Sequence, residues 1–323
     1  MSSTSLPTAG PALSPGRPAG PPSGTTISRQ SSRPFEAVVR LVLRLCAWLS
    51  IAITLGIVVS LAAPAVDFFR EVPVMDFLTG TRWAPQFADA SFGVLPLVTA
   101  TAWTTAIALA VAVPFGLGAA VYLAEYARPR ARKVLKPILE LLAGVPTVVF
   151  GFFALSWVAP VVLREWLSIE VGTFSILAAG LVMGVMIIPT VASLSKDAMS
   201  AVPQALRQGS AALGANRMQT SLRVVFPAAL SGIVAAIVLG ISRAIGETMI
   251  VAIAAGARPQ MVTDPTMEGA TMTGFIARMA LGDSRVGSLE YNTLFAVGLL
   301  LFVLTLIVNL VSIQLVRRFR QEY

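Results

Sequence analysis

Histidine is absent from this sequence of 323 residues, and Cys46 is its only cysteine. Neither a disulfide framework nor a Cys/His metal site can be built from that inventory. A Ser-His-Asp hydrolytic arrangement is excluded for the same reason. Charge is scarce as well, at 12% of residues against 56% hydrophobic, and the mean hydropathy is +0.79. A soluble domain of this length needs far more charge to cover its surface. The nucleotide loop G-x-x-x-x-G-K-[ST] is also missing, because none of the three lysines, Lys133, Lys136 and Lys196, follows a glycine. The chain is therefore expected not to be an enzyme, to need no cofactor, and to take any ATP coupling from another subunit. Cys46 lies in an apolar run and reads as a small core or lipid-facing residue.

What is present is a set of six long apolar stretches. They run approximately over Leu45–Val66, Thr101–Ala124, Leu141–Val162, Thr173–Leu194, Ala228–Ala257 and Thr293–Val316. Each is long enough to cross a hydrocarbon core of about 30 Å as a helix of about 20 residues. An unpaired backbone group in lipid costs several kcal/mol and no barrel pattern is present, so all six are expected to be helices. The fold class is thus an all-α integral membrane protein of about six spans. The uncharged run before Glu125 begins near Ser91; its first ten residues suggest an interfacial or re-entrant piece, and Pro114 should kink the span that follows.

Basic residues sit in short segments between the runs. Such spacing is a topology signal, and despite a net charge of +8 no nucleic-acid partner is expected. One side collects 17 Lys or Arg from the tail up to Arg44, the loop 126–137, the segment 195–227 and the C-terminal tail, while the opposite loops hold six. Positive residues mark the cytoplasmic side, which places both termini there, in a multi-pass membrane protein. Residues 1–36, rich in Ser, Pro and Gly, are expected to be a disordered tail. The first transmembrane helix and an extracytoplasmic segment follow over 37–90, then a transmembrane domain over 91–317 and a short tail over 318–323.

Two features carry chemistry. Arg243 falls at the midpoint of the fifth run and Glu247 lies four residues on, which places both on one face of a continuous helix. An arginine at that depth costs about 2.5–3.5 kcal/mol on insertion scales. A buried pair is seldom a net gain over apolar packing. Either the two form a structural staple, or they line a translocation pathway, where the planar guanidinium suits an oxyanion and Glu247 orients it. The second feature is the long segment Ser195–Leu230. It has amphipathic character, with Leu206, Ala212, Leu213 and Met218 as a possible apolar stripe beside Arg207, Gln208 and Arg217. Pro114, Pro146, Pro160 and Pro189 lie in or near spans, with Pro146, Gly151 and Pro189 as possible gate or packing positions. Gly116, Gly118, Gly180 and Gly184 read as close-packing positions, and Trp48, Trp103, Trp157 and Trp166 as an aromatic belt.

The segment also carries a resemblance. Gln208-Gly209-Ser210, three residues, Gly214, nine residues and Val224-Val225-Phe226-Pro227 resemble the EAA loop of ABC importer permeases, with Gln208 in place of the Glu and Gly209-Ser210 in place of the two alanines. The run Ser242–Met249 resembles the RAIGET signature of phosphate-specific ABC permeases, Gly144–Gly151 resembles their GxPSVVxG segment, and Thr271–Thr273 and Tyr291–Gly298 are similar to their PstC-type branch. The likeness spans roughly residues 92–320. It implies a type I importer permease core of the MetI-like kind and a coupling helix at about 203–215, with Gln208, Gly209, Ser210, Gly214 and Pro227 in the ATPase-coupling loop. It also implies a phosphate pathway past Arg243 and Glu247. The implied partners are a PstA-like second permease, a PstB-like ATPase dimer, a PstS-like extracytoplasmic phosphate-binding protein and the lipid bilayer. An importer of molybdate or sulfate is the nearest alternative. A secondary anion carrier is another, although no internal inverted repeat is seen.

Overall fold

The structure, a computed structural model, describes residues 34–319. The expected disordered tail lies outside the described residues as far as residue 33, as do residues 320–323 of the C-terminal tail. Helix α1 (Pro34–Glu71) starts well before the expected Leu45. The chain divides into two units after Leu55. In the first unit, α1 exposes Leu41, Leu45, Trp48, Leu49 and Cys46 all round. A helix apolar on every side is suited to lipid.

The second unit begins with the rest of α1 and the short α2 (Val74–Thr79). Strands β1 (Trp83–Ala84) and β2 (Ser91–Phe92) pair antiparallel, with Trp83 opposite Phe92. The run from Ser91 therefore opens as a strand rather than a re-entrant piece. Edge-to-face rings of Phe68, Phe69, Phe77, Trp83, Phe92 and Phe275 fill the space beneath it. Helix α3 (Leu95–Val121) carries Pro114 in its interior and ends in a π turn, Tyr122–Tyr126. The basic loop after it is not a loop: α4 (Pro129–Gly144) is a helix with no buried residue. Pro146 then separates α4 from α5 (Thr147–Phe153), which continues with π winding over Ala154–Trp166 around Pro160. The third span is therefore Thr147–Trp166 rather than Leu141–Val162, because Pro146 lacks an N–H and its predecessor Val145 is extended.

Helix α6 (Ile176–Ser200) is the most enclosed span, with Pro189 buried inside it. The segment 195–230 folds into α7 (Gln204–Ala212), α8 (Arg217–Thr220), a π turn Ser221–Val225 and α9 (Phe226–Ala228). Asn216 caps α8 in a capping box with Gln219. The chain bends by 70° between Arg217–Ala228 and α10 (Leu230–Ile245). Then come α11 (Met249–Ala254), α12 (Met272–Leu281) and α13 (Leu289–Phe319). Five described helices are long and apolar enough to cross a membrane, and the bent pair makes a sixth. The fifth run is not one span. It is broken at Gly246, and residues after Ala254 leave the helix.

Glycine makes the centre of this unit possible. A Cβ on Gly184 would stand 2.7 Å from Val111 Cβ and 2.8 Å from the Ala108 carbonyl, and one on Gly180 would stand 2.8 Å from Ile107 Cβ. Gly116 is as close to Val191. These contacts bring α3 against α6 over most of their length. Gly118 has open space around it, so it has no packing role of this kind.

An irregular segment between α11 and α12 closes over the start of α6. Ser175 N–H donates to Ala254 O, Ile176 N–H to Met267 O and Leu177 N–H to Pro265 O. Trp103 Nε1 donates to Val262 O rather than lying free at an interface. Asp264 accepts from Thr266 N–H, which holds its carboxyl below the usual carboxylate range.

Because Val111 and the Ala108 backbone leave no room, Gly184→Leu should destabilise the protein by about 1–3 kcal/mol, the usual cost of overpacking. Gly118→Leu should have almost no effect. Thermal denaturation of the two purified variants in detergent, beside the parent, checks the contrast.

Candidate functional site

Helix α10 ends where its sequence weakens it. Gly246 is the poorest helix former short of proline, and it adopts φ −87°, ψ −2° as the cap of α10. Thr248, at φ −113°, ψ −50°, starts α11. Arg243 and Glu247 therefore do not share one helix face, as four-residue spacing on a continuous helix would require. Arg243 sits in the last turn of α10, and Glu247 sits in the break. No Arg243–Glu247 ion pair is formed among the described residues.

Each charge has another partner. Arg243 Nη1 donates to Thr190 Oγ1 of α6 at 2.9 Å. Glu247 is buried, at 9% exposure, and its Oε1 accepts from Met249 N–H (3.1 Å) and Ile250 N–H (3.3 Å). Its backbone carbonyl accepts from Thr273 Oγ1 of α12 at 2.6 Å. The signs fit the helix ends: carbonyls at the C-terminus of α10 favour the guanidinium, and the free N–H groups opening α11 favour the carboxylate. Next to the break, Gly151 of α5 lies against α11, where a Cβ would be 3.2 Å from Ile250 Cα. Ser242 Oγ donates to Asn309 Oδ1 of α13 at 3.0 Å.

Thr190 was not singled out by sequence. A threonine inside an apolar span ordinarily bonds its own helix, and only the fold shows that this one faces Arg243. It lines, with Pro189, a cavity of about 460 Å³ between α4 and α6. Ser193 and Lys196 follow on the same face of α6, opposite Arg132 and Lys136 of α4. Lys136 and Lys196 pair with Glu140 and Asp197 at 3.6 and 2.8 Å. The cavity thus carries the Arg132 guanidinium, two ammonium groups paired with carboxylates that also line it, and two hydroxyls, from Thr190, which holds Arg243, to the end of α6.

The residues of the EAA-like loop lie apart from this site. Gln208 and Gly209 are exposed on α7, and Ser210 Oγ bonds Thr220 Oγ1 at 3.0 Å. Gly214 takes φ +83°, in the left-handed region that only glycine enters freely, and so ends α7. Pro227 is exposed in α9, beside the 70° bend. Of the expected apolar stripe, only Leu206 packs inward; Leu213 and Met218 are 90% and 61% exposed.

A bundle of five or six apolar helices, one of them interrupted between an arginine and a glutamate, defines an integral membrane protein. The family described as "Binding-protein-dependent transport system inner membrane component" matches residues 112–321. The chain belongs to that family and is a multi-pass cell-membrane protein. Among curated relatives, a probable ABC transporter permease protein, YqgH, of Bacillus subtilis is 37% identical over 262 residues, covering 80% of this chain and 84% of the relative. The phosphate transport system permease protein PstC 1 of Mycobacterium tuberculosis is 35% identical over 279 residues, covering 76% and 82%. In fold, the chain resembles the inward-facing MetNI methionine ABC transporter, with TM-score 0.52 and 21% identity over 71% of this chain and 95% of that one. It also resembles a bacterial alginate ABC transporter solved with its alginate-bound periplasmic protein, with TM-score 0.57 and 16% identity over 85% and 96%.

Removing the carboxylate of Glu247 should leave two N–H groups of α11 without partners. Glu247→Ala is expected to cost about 1 kcal/mol as a lost cap, and Glu247→Gln, which keeps an acceptor oxygen, should cost less. Thermal denaturation of the two purified variants measures the difference.

Proposed function

We propose that this chain is the transmembrane permease subunit of an ATP-driven inorganic phosphate importer, forming half of the translocation pathway by alternating access. The observation that carries the reading is Arg243: a permanent cation within the membrane domain, held by a threonine hydroxyl rather than neutralised by a carboxylate. A guanidinium in that state presents several free N–H donors in a plane, which matches the oxygens of a phosphate. Likeness to a relative named as a phosphate transport permease, over more than three quarters of the chain, supports the same substrate. Phosphate entering from outside would meet Arg243, displace or share the Thr190 contact, and move into the cavity between α4 and α6. Glu247, occupied with α11, would fix the geometry of the break rather than orient the guanidinium directly.

Energy would come from elsewhere. The sequence lacks a nucleotide loop, so ATP hydrolysis is assigned to a separate PstB-like ATPase dimer. Helix α7, with the neighbouring stretch to residue 215, would be the coupling helix that docks on it. Leu213 and Met218, large apolar side chains exposed on a cytoplasmic segment, suit that contact. A PstA-like second permease and a PstS-like binding protein complete the assembly, within a permease domain over 91–317.

Radiolabelled phosphate uptake by the assembled transporter is the test. Arg243→Ala should lower uptake about ten- to a hundred-fold, the value of hydrogen bonds to a charged group, and Arg243→Lys should keep part of it. Sulfate and molybdate in excess should leave wild-type uptake unchanged; competition by either would point to another oxyanion. Full activity from Arg243→Ala would remove Arg243 from the pathway.

A further inference from the structure

Five ion pairs occur among the described residues, and four of them join residues no more than seven positions apart with largely exposed carboxylates. The fifth is different. Arg207 of α7 reaches across 82 positions to Glu125 in the π turn that ends α3, with Nη1 and Oε1 2.5 Å apart and side-chain exposures of only 18% and 8%. Arg207 Nη2 also donates to the carbonyl of Met199, in the last turns of α6, at 2.7 Å. The same π turn is held from two further sides. Arg132 of α4 donates to Ala124 O at 2.9 Å, and the Arg217 guanidinium of α8 lies 5.8 Å from the centre of the Tyr126 ring.

A buried ion pair seldom stabilises a fold more than apolar packing in its place. What it does supply is a short, directional contact that cannot slide as apolar side chains do. This pair stands between the helix that carries Gln208 and the span that packs along α6, and Thr190 of α6 holds Arg243. We infer that Glu125 and Arg207 are positioning residues that transmit movement of α7 to α3 and α6, and so to the Arg243 level. The inference rests on the reading of α7 as the ATPase-docking helix. A contiguous chain of bonded side chains and rigid helices is the physical form such transmission takes. The π turn concentrates it: one wider turn of helix places Glu125 where α7 can grip it, while Arg132 and Arg217 keep that turn from rewinding.

The test is the ratio of phosphate moved to ATP hydrolysed, in proteoliposomes holding the complete transporter and its binding protein. Binding-protein stimulation of ATP hydrolysis serves as a second readout that does not depend on the transported anion. The informative variant is Glu125→Gln with Arg207→Met together, because it leaves no unpaired buried charge. A merely structural pair predicts that this double variant recovers wild-type coupling. The transmission account predicts that it assembles with its ATPase yet moves about tenfold less phosphate per ATP, and loses stimulation by a similar factor, as for a coupling energy of ordinary size. Arg207→Lys, which keeps the charge opposite Glu125, should retain an intermediate ratio.

A wild-type ratio and stimulation in the double variant overturn the inference. Should the double variant fail to assemble, the same ratio and stimulation are read from Arg207→Met and Arg207→Lys, and equal values for the two overturn it as well. If the wild-type transporter itself takes up no phosphate while the binding protein still stimulates hydrolysis, the phosphate assignment falls, and the stimulation readout decides the link.

Discussion

The site depends on the interruption of a helix at Gly246. A continuous span would set Arg243 and Glu247 one above the other and let them neutralise each other. The break turns one helix into two ends with opposite partial charges, each facing the side chain of complementary sign. Glu247 is used up in capping α11 and, through its carbonyl, in tying α11 to α12. Arg243 is left with a hydroxyl as its only hydrogen-bonding partner among the described side chains. A polar site inside a membrane domain is tolerated where irregular backbone is buried in protein, and Glu247 at the break is buried.

Packing fixes what surrounds that interruption. Gly180, Gly184 and Gly116 let α3 and α6 approach closely enough that Thr190 is held on the Arg243 side of α6. Gly151 lets α5 close on α11 from the other side, and the segment after α11 returns its backbone bonds to Ser175, Ile176 and Leu177. The 70° bend before α10 turns the chain from the short helices α7 to α9 into the helix whose last turn carries Arg243.

Much of this was legible in the sequence. The apolar runs and the basic segments between them gave the membrane class, and the resemblance, carried in part by the spacing from Gln208 to Pro227, gave the family. Arg243 and Glu247 stood out because charge is so rare inside apolar runs. Their separation is not legible there, since hydropathy does not register that one glycine followed by Glu-Thr stops a helix. The same limit explains the third span, where Pro146 shifts the start to Thr147, and the basic stretch 129–144, whose helical character was hidden by Pro137 and its many charges. Thr190 carries no signal of its own. Its role depends on which face of α6 meets α10, which is a property of packing, and so does the pairing of Arg207 with a carboxylate 82 positions earlier.

The central claim is that Arg243, free of Glu247, is the group that meets the transported anion. The most direct measurement is an electron cryo-microscopy structure of the assembled transporter, with its binding protein, trapped during transport of phosphate by a nucleotide analogue. The account predicts density for phosphate within hydrogen-bonding distance of the Arg243 guanidinium, with the Glu247 carboxylate still on the N–H groups of Met249 and Ile250. Phosphate bound elsewhere in the pathway, with Arg243 closed on Glu247, would contradict it.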